Sequence, residues 1–362
     1  MQKLKVAILG ATGAVGQRFV QLLEGHPWFE IHELVASTRS AGRTYGEATN
    51  WVLDGEPPRE IAEMTVKELG EPLESPLVFS ALPSDTAREI EIHLAEAGHV
   101  VCSNASANRM VHDVPLLIPE VNADHVRLID QQRQQRGWQS GAVVTNSNCT
   151  SMPVTMALAP LLQFEPTHLQ LVSMQAISGA GYPGVASLDI LDNVIPYIGG
   201  EEEKLAIEPR KMLGILADDL SSVHLMPATI STSCNRVPVL DAHLVSMAVR
   251  FATNPTMADI EAAWEAFVAP NVVQGLPSAP PQPVIYTRAA DRPQPRRDRM
   301  AGNGMSTVVG RLRDCAALDG VQFLALAHNT IRGAAGCSIL NAELLAATGY
   351  IHAFDTALIH RV

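Results

Sequence analysis

The sequence has few cysteines, no long apolar run and fewer basic than acidic residues. Its five cysteines are widely spaced and none lies in a Cys-x-x-Cys pair, so we predict neither a disulfide framework nor a metal site. No apolar run reaches about 18 residues, which predicts no membrane span. The 26 Lys and Arg against 38 Asp and Glu give a net charge of −12. This balance argues against nucleic acid or an acidic membrane surface as a partner.

The remaining composition is that of an ordinary globular protein. With 362 residues, of which 47% are hydrophobic and 18% charged, the chain can bury a large core, and its length predicts two domains. The apolar segment near the start is too short for a signal peptide. Because widely spaced cysteines suit a reducing compartment, we predict a cytoplasmic protein.

A glycine loop follows the first apolar strand. Lys3 to Leu9 is a continuous apolar run, and G-A-T-G-A-V-G at 10–16 leads from it into an amphipathic helix. Backbone N–H groups of such a loop can approach a pyrophosphate at the helix N-terminus. The alternative is a tight turn with no ligand. We predict a dinucleotide site contacted by Gly10, Thr12, Gly13, Ala14 and Val15.

The segment after the second strand indicates which dinucleotide is bound. A strand at 30–35 ends in Ser37, Thr38, Arg39 and Ser40, where NAD-preferring domains usually carry an acidic residue. Arginine and hydroxyl groups can instead bind a 2′-phosphate, so we predict NADP as the cofactor. The alternative is that Arg39 is a solvated loop charge. Ser80 and Leu82 lie at the carboxyl end of a further strand at 76–81 and are predicted to contact the same cofactor.

The pattern of apolar segments changes halfway along the chain. Strand-like and helix-like stretches alternate in the first part, whereas strands predominate at 168–177, 222–231, 244–252, 305–312 and 321–328. We predict an α/β protein with an N-terminal Rossmann-like parallel sheet (1–148) and a second α+β domain for catalysis and dimerisation (149–333). A C-terminal helical segment (334–362) would complete the first domain. Helices are predicted at 186–194 and 256–268, and a long, structureless, Pro-rich loop at 269–303.

Cys149 is the most informative residue. It follows the strand-like segment 141–145 and precedes an apolar helix-like stretch in which Pro153 suits the first turn. A thiol at a helix N-terminus is stabilised as a thiolate, which is a nucleophile. The alternative is a buried, inert cysteine.

Two further side chains suit an active site. Arg236 and His243 lie seven residues apart on one strand–turn segment, so both could face one cleft. Histidine is the usual acid/base near neutral pH. A hydrogen-bonded structural histidine and a salt-bridged surface arginine are the alternatives.

Taken together, these segments resemble the aspartate-β-semialdehyde dehydrogenases, particularly the archaeal and fungal-like branch. The resemblance extends over essentially the whole chain. It rests on the glycine loop and on S-N-A-S-A-N-R at 103–109, S-N-C-T at 147–150, Q-A-I-S-G-A-G-Y-P-G at 175–184, N-V-I-P-Y-I-G-G-E-E-E-K at 193–204, C-N-R-V-P-V at 234–239 and N-T-I-R-G-A-A-G at 329–336. Ser233 departs from the histidine expected in many relatives.

The resemblance implies reversible NADP-dependent reductive dephosphorylation of 4-aspartyl phosphate to L-aspartate 4-semialdehyde, in lysine, methionine and threonine biosynthesis. It implies Cys149 as the nucleophile that carries a thioester, and His243 as the acid/base. Asn148 with backbone N–H groups would stabilise the oxyanion, and Gln175 would orient the substrate.

The resemblance also implies the ligand contacts and the assembly. Arg236 would bind the substrate carboxylate and Glu208 its ammonium, while Arg109, Lys211 and Asn104 would form a phosphate pocket. Arg210 could replace Lys211. Ser178, Gly179, Asn329 and Thr330 would contact the nicotinamide end of the cofactor. A homodimer or homotetramer is expected.

Two alternatives remain open at this stage. One is a related acyl-CoA or acyl-phosphate reductase, such as a malonyl-CoA reductase or an N-acetyl-γ-glutamyl-phosphate reductase. The other is a non-catalytic NADP-binding sensor, although such proteins typically lose the nucleophile or the base, and this chain has Cys149 and His243.

Overall fold

The computed structural model describes residues 3–352. Its first half is built on a parallel sheet whose strands are largely buried on both faces. The strands are β1 (Leu4–Leu9), β2 (Phe29–Ala36), β3 (Lys67–Glu68), β4 (Leu77–Ser80), β5 (Val100–Ser103), β6 (Leu116–Leu117) and β7 (Ala142–Asn146). The first helices are α1 (Ala14–Leu23), α2 (Tyr45–Ala48), α3 (Arg59–Ala62), α4 (Ser84–Glu96), α5 (Pro119–Asn122) and α6 (Leu128–Arg136).

The strand order of this sheet places a binding crevice at its centre. The order is β3-β2-β1-β4-β5-β7-β6, and every pairing is parallel. Successive strands are therefore added on one side of β1 up to β3 and on its other side from β4 onward, and in such sheets ligands bind at the carboxyl ends of the strands at this switch. Gly10 and Ser80 stand at those two ends. The predicted Rossmann-like fold is confirmed.

The second half forms a mixed sheet with helices. Its strands are β8 (Pro166–Gln175), β9 (Ile215–Leu216), β10 (Val223–His224), β11 (Thr229–Arg236), β12 (His243–Phe251), β13 (Val284–Thr287), β14 (Thr307–Cys315) and β15 (Gly320–Ala327). The helices are α7 (Ser151–Leu158), α8 (Ser187–Ile190), α9 (Glu201–Met212), α10 (Met257–Glu265), α11 (Pro295–Asp298) and α12 (Gly336–Ala347). Six strands join in the order β11-β8-β12-β15-β14-β13, and β9 pairs only with β10. The predicted α+β fold of the second half is confirmed.

The last helix returns to the first sheet. A π-helical turn at Ile331–Ala335 leads into α12, which packs on β4, β5 and β7. Its Ile339, Leu340 and Leu344 belong to the same buried cluster as the β1 and β4 side chains. Helix α12 is the helix that was predicted to complete the first domain, and residues 353–362 of the predicted segment lie outside the described residues. The proposed division at 148/149 stays a prediction.

Three predicted elements were wrong in extent. The stretch predicted as a strand at 222–231 contains β10 and only the start of β11, which continues to Arg236. The segment 269–303 is not structureless, because Val284–Thr287 forms β13, which pairs in parallel with β14 at the sheet edge. The helix predicted at 186–194 is limited to Ser187–Ile190. Short 3₁₀ helices lie at Ala123–Arg127, Ala159–Phe164, Ile177–Ala180 and Ala301–Gly304. No helix among residues 3–352 is both long and apolar enough to cross a membrane.

Candidate active site

The thiol of Cys149 meets the imidazole of His243. Cys149 lies between β7 and α7, and His243 is the first residue of β12. The distance from Sγ to Nε2 is 3.1 Å. His243 is fully buried, whereas Cys149 remains partly accessible. The structure thus brings together a nucleophile and a potential acid/base that are 94 residues apart in the sequence.

The other nitrogen of His243 fixes the orientation of the ring. The Ala176 backbone N–H donates to Nδ1 over 3.0 Å, so the proton of the neutral ring lies on Nε2, which faces Cys149. Burial, with a contribution from Arg236, lowers the pKa of His243 to about 3. A hydrogen bond with the Ala242 backbone acts in the opposite direction and favours the protonated ring. The imidazole is therefore neutral at rest.

The surroundings of Cys149 favour its thiol form over the predicted thiolate. Burial and the nearby Glu201 carboxylate raise the pKa of Cys149 to about 12, although Arg109 and Arg236 favour the thiolate. The helix N-terminus does not offset this, because the Asn148 Oδ1 atom already accepts from the first N–H groups, those of Thr150 (2.8 Å) and Ser151 (3.3 Å). These surroundings favour the thiol form of Cys149, and its ionisation at the helix N-terminus stays a prediction.

Arg236 lies beside this pair at the end of β11. Its Nη1 donates to the Ala176 carbonyl over 2.7 Å, and its backbone pairs with that of Ile195 through hydrogen bonds of 2.8 and 3.0 Å. Gly179 packs against the Arg236 guanidinium and the His243 imidazole. A Cβ at this glycine would lie 2.8 Å from Arg236 Nη1 and 3.1 Å from His243 Nε2. Only glycine therefore fits between the 177–180 turn and the two side chains.

Arg109 and Glu208 form a second charged group near Cys149. Arg109 Nη1 donates to Glu208 Oε1 over 2.9 Å, and Arg109 Nη2 donates to the Asn104 carbonyl over 2.6 Å. The other Glu208 oxygen accepts from the Asn148 backbone N–H at 2.6 Å. Asn104 in turn accepts from Asn146 Nδ2 at 3.0 Å. Three of the predicted substrate ligands thus converge, but Glu208 is paired with Arg109 rather than left open for an ammonium group.

Lys211, which the resemblance places in a phosphate pocket, binds three backbone carbonyl groups in this structure. Its ammonium donates to the carbonyl oxygens of Arg109, Val111 and Val114 over 2.7, 2.8 and 2.9 Å. All three N–H bonds are therefore occupied, and burial lowers the pKa of Lys211 to about 8. Lys211 holds the 109–114 loop in place and offers no free donor to phosphate in this arrangement. Arg210, the alternative, donates to the Met226 carbonyl over 3.0 Å. A phosphate contact by either residue stays a prediction.

Asn148 also differs from the expected oxyanion donor. Its Nδ2 donates to both oxygens of Glu201, at 3.0 and 2.9 Å, while its Oδ1 caps α7 as described above. Gln175, at the end of β8, donates to the Ser173 hydroxyl over 3.2 Å and to Glu201 over 3.4 Å. Both carboxamides lie at the site, but neither amide nitrogen is free. Stabilisation of an oxyanion by Asn148 stays a prediction.

The glycine loop has the shape expected of a phosphate-binding turn. Gly10 has φ +72° and its Cβ would lie 2.7 Å from the Ala81 carbonyl oxygen, while a Cβ at Gly16 would lie 2.6 Å from Ala11 Cα. Gly13 is the exposed residue directly before α1, and Thr12, Ala14 and Val15 are half-buried. Glycine at positions 10 and 16 thus lets backbone segments pack closely in this turn, and the exposed Gly13 leaves the N-terminus of α1 without a side chain, which fits a pyrophosphate.

The remaining predicted cofactor residues lie around one cleft and at the edge of the sheet. Ala14, Ser178 and Thr330 line a cleft together with Arg18 and Asp241. Asn329 Nδ2 donates to the Ser178 hydroxyl over 2.8 Å. Ser37, Thr38 and Arg39 are exposed in the turn after β2, Ser40 is buried, and Thr38 donates to Glu68 over 2.6 Å. Ser80 and Leu82 are buried at the end of β4.

The comparison with known proteins agrees with this architecture. Residues 5–129 match the NAD binding domain of semialdehyde dehydrogenases, and residues 158–332 match their dimerisation domain. An aspartate-semialdehyde dehydrogenase of Archaeoglobus fulgidus is 47% identical over 95% of this chain and 98% of its own. One from Schizosaccharomyces pombe has the same identity and coverage. The crystal structure of the Candida albicans aspartate-semialdehyde dehydrogenase with NADP has 40% identity and a TM-score of 0.87, covering 96% of this chain and 99% of that one.

The chain belongs to the aspartate-semialdehyde dehydrogenase family. The resemblance stated from the sequence motifs is therefore confirmed. The two matched domains are an NAD binding domain and a dimerisation domain. Residues of both line the cleft described above.

Sequence reasoning missed two residues of this aspartate-semialdehyde dehydrogenase site. Glu201 is the first of three consecutive glutamates, and the sequence does not show which of the three faces inward. Gly333 touches the nucleophile, since a Cβ there would lie 2.7 Å from Cys149 Cβ. The N-T-I-R-G-A-A-G motif contained this glycine, but a π-helical turn, which sets its position, has no recognisable sequence pattern.

Proposed function

We propose that this chain catalyses the reversible NADPH-dependent reductive dephosphorylation of 4-aspartyl phosphate to L-aspartate 4-semialdehyde, on the route to lysine, methionine and threonine. The 3.1 Å contact between Cys149 Sγ and His243 Nε2 carries the proposal. It supplies the thiol and the proton-exchanging group that an acyl transfer through a thioester requires. Family membership and the Arg236 side chain beside the pair support the choice of substrate.

The chain's own residues account for the acyl transfer. The Cys149 sulfur attacks the acyl carbon of aspartyl phosphate, phosphate leaves, and a thioester forms. Because Nε2 carries the proton of the neutral ring, it donates a hydrogen bond to the Cys149 sulfur as the thiol ionises. The thiol proton leaves with the departing phosphate. Arg109 lies close enough to Cys149 to favour its ionised form, and it is the cation we assign to the phosphate.

Reduction of the thioester requires the cofactor. NADPH, when bound, supplies the hydride. We assign the pyrophosphate to the loop at 10–16, the 2′-phosphate to Arg39 with Ser37, Thr38 and Ser40, and the nicotinamide end to Ser178, Gly179, Asn329 and Thr330. His243 Nε2 lies next to the reacting sulfur, where its N–H would act as the acid toward the oxygen of the thiohemiacetal. Arg236 binds the substrate carboxylate in a bidentate fork.

The assembly and the compartment are also proposals. Residues 158–332 match a dimerisation domain, and the 182–197 segment exposes Leu188, Leu191 and Tyr197 at 92, 63 and 68% of their surface. We assign this apolar segment to the contact with a second copy, in a homodimer or a dimer-based tetramer. The five cysteines are free thiols, which suits a reducing cytoplasm.

The deciding experiment compares NADPH oxidation with two substrates. We expect rapid turnover with 4-aspartyl phosphate and none with malonyl-CoA, because a malonyl group has no ammonium and its leaving group has a different shape. Cys149→Ala should abolish turnover yet leave NADP binding nearly intact. Turnover of malonyl-CoA alone would identify a sister reductase, and absence of turnover with either substrate would favour the sensor.

A further inference from the structure

Glu201 is a buried carboxylate that contacts the site from α9. It is the first residue of this helix and is only 8% exposed. Its two oxygens accept from Asn148 Nδ2 at 3.0 and 2.9 Å, and one of them also accepts from Gln175 Nε2 at 3.4 Å. Lys204 pairs with it over 3.1 Å. No role given above to the nucleophile, the base or the substrate ligands uses this carboxylate.

We propose that Glu201 is a positioning residue whose carboxylate orients the side chains of Asn148 and Gln175 on either side of the nucleophile. A carboxylate can only accept hydrogen bonds, so it takes the NH₂ end of each carboxamide. The Asn148 oxygen is thereby directed at the N–H groups of Thr150 and Ser151. Cys149 lies between Asn148 and this capped turn, so its backbone is held from both sides. The inference rests on the proposed function, in which Cys149 is the nucleophile.

The negative charge of Glu201 opposes ionisation of the Cys149 thiol. After burial, Glu201 is the largest influence that raises the pKa of Cys149. His243 from β12, Arg236 from β11 and Arg109 from the 103–109 loop face the same sulfur, and Glu208 from α9 holds the Asn148 backbone N–H. Removing the Glu201 charge therefore has two opposite effects. It makes the thiol easier to ionise, and it releases the carboxamides that hold the site in shape.

The test uses Glu201→Gln in the full-length protein. We expect kcat for semialdehyde oxidation with phosphate and NADP⁺ to fall about tenfold or more, with KM changed less than about threefold. Alkylation of Cys149 by iodoacetamide at pH 8, followed by mass spectrometry, should become about tenfold faster, because one pKa unit changes the thiolate fraction tenfold. The two readouts thus move in opposite directions. Thermal unfolding is measured alongside, because loss of a residue that merely stabilises the fold could also expose the thiol but would lower the unfolding temperature.

Glu203→Gln is the matched control. Glu203 lies in the same helical turn and is exposed, so the same loss of charge should leave kcat and alkylation at wild-type values. A kcat of Glu201→Gln within about twofold of wild type would overturn the proposal, since loss of an orienting contact usually costs more. A parallel fall in kcat and alkylation would overturn it as well.

A second variant covers a failure of Glu201→Gln to fold. Glu201→Asp keeps the charge but shortens the side chain, so we expect a reduced kcat with wild-type alkylation. A wild-type kcat in this variant would overturn the proposal. Alkylation requires no substrate, so a failure of the proposed function would show separately, as a wild-type protein without semialdehyde turnover. Even in that case, a folded Glu201→Gln variant whose Cys149 is alkylated at the wild-type rate would overturn the proposed role of Glu201.

Discussion

At the scale of single residues, Gly333 brings the backbone into close contact with the nucleophile. A Cβ at this glycine would lie 2.7 Å from Cys149 Cβ and 2.9 Å from Cys149 Cα. Neither neighbour is the end of a flexible side chain, so the backbone would have to move. We predict that Gly333→Ala lowers kcat about tenfold or more, because a shift near 1 Å in a catalytic group is costly, and lowers stability by about 1–3 kcal/mol.

The measurement combines steady-state kinetics with thermal unfolding. Gly46→Ala is the control, since a Cβ at Gly46 would meet only Ala62 atoms at 3.4 Å or more. This variant should retain wild-type activity. A fully active Gly333→Ala would show that the π-helical turn can move away from Cys149 without consequence.

Single residues also show where the sequence was sufficient and where it was not. Cys149, His243 and Arg236 could be named because each lies in a short motif with a distinctive residue type. Glu201 could not, because three glutamates in a row carry no information on which one is buried. The protonation state of Cys149 could not be predicted either. It depends on burial and on a carboxylate 52 positions away in the sequence (201 − 149), which only the folded chain brings near.

At the scale of elements, the turn after β2 is expected to set the choice between NADP and NAD. Arg39 is exposed there, and no acidic residue lies among residues 36–40. We predict that Arg39→Ala raises KM for NADPH about tenfold or more, the effect of losing a charge-assisted hydrogen bond of about 1.5–3 kcal/mol. KM for NADH should stay unchanged, because NADH has no 2′-phosphate.

The control for this turn is Arg43→Ala, which removes an exposed arginine whose guanidinium donates to the Glu47 carbonyl. It should leave both KM values at wild type. An equal rise for NADPH and NADH in Arg39→Ala would mean that Arg39 shapes the turn rather than recognises the phosphate.

Elements with a strong apolar pattern were predicted well, and those set by tertiary contacts were not. Strands β1 and β4 are mostly apolar and β2 ends in an apolar run, and the predicted limits of all three differ from the observed ones by one residue at most ends. Strand β13 has only four residues between Pro283 and Arg288, too few for an alternating pattern. It becomes a strand because β14 offers a free edge to pair with. The 182–197 segment likewise has no long helix, since most of its large apolar residues remain exposed and only Ile190 among them is fully buried.

At the scale of the whole molecule, the apolar 182–197 segment connects assembly with the active site. Leu188 and Leu191 are exposed at 92 and 63%, which is unusual for neighbouring leucines unless a partner covers them. The same segment carries Ile195, whose backbone forms two hydrogen bonds with Arg236. A second copy packed on this surface would therefore also hold the arginine that we assign to the substrate carboxylate.

This connection predicts that losing the dimer weakens substrate binding before it affects the chemistry. Leu188→Asp combined with Leu191→Asp should convert the dimer to a monomer in analytical ultracentrifugation, because buried charges oppose association. KM for aspartate semialdehyde should rise about tenfold, as expected when a bidentate carboxylate contact loosens. Alkylation of Cys149 should stay at the wild-type rate, because Cys149 and His243 do not contact this segment through any bond described above.

Val268→Asp, at a 67% exposed site outside the segment, is the control and should remain dimeric. A double variant that stays dimeric would place the interface elsewhere, and a monomer with wild-type KM would separate assembly from the Arg236 site.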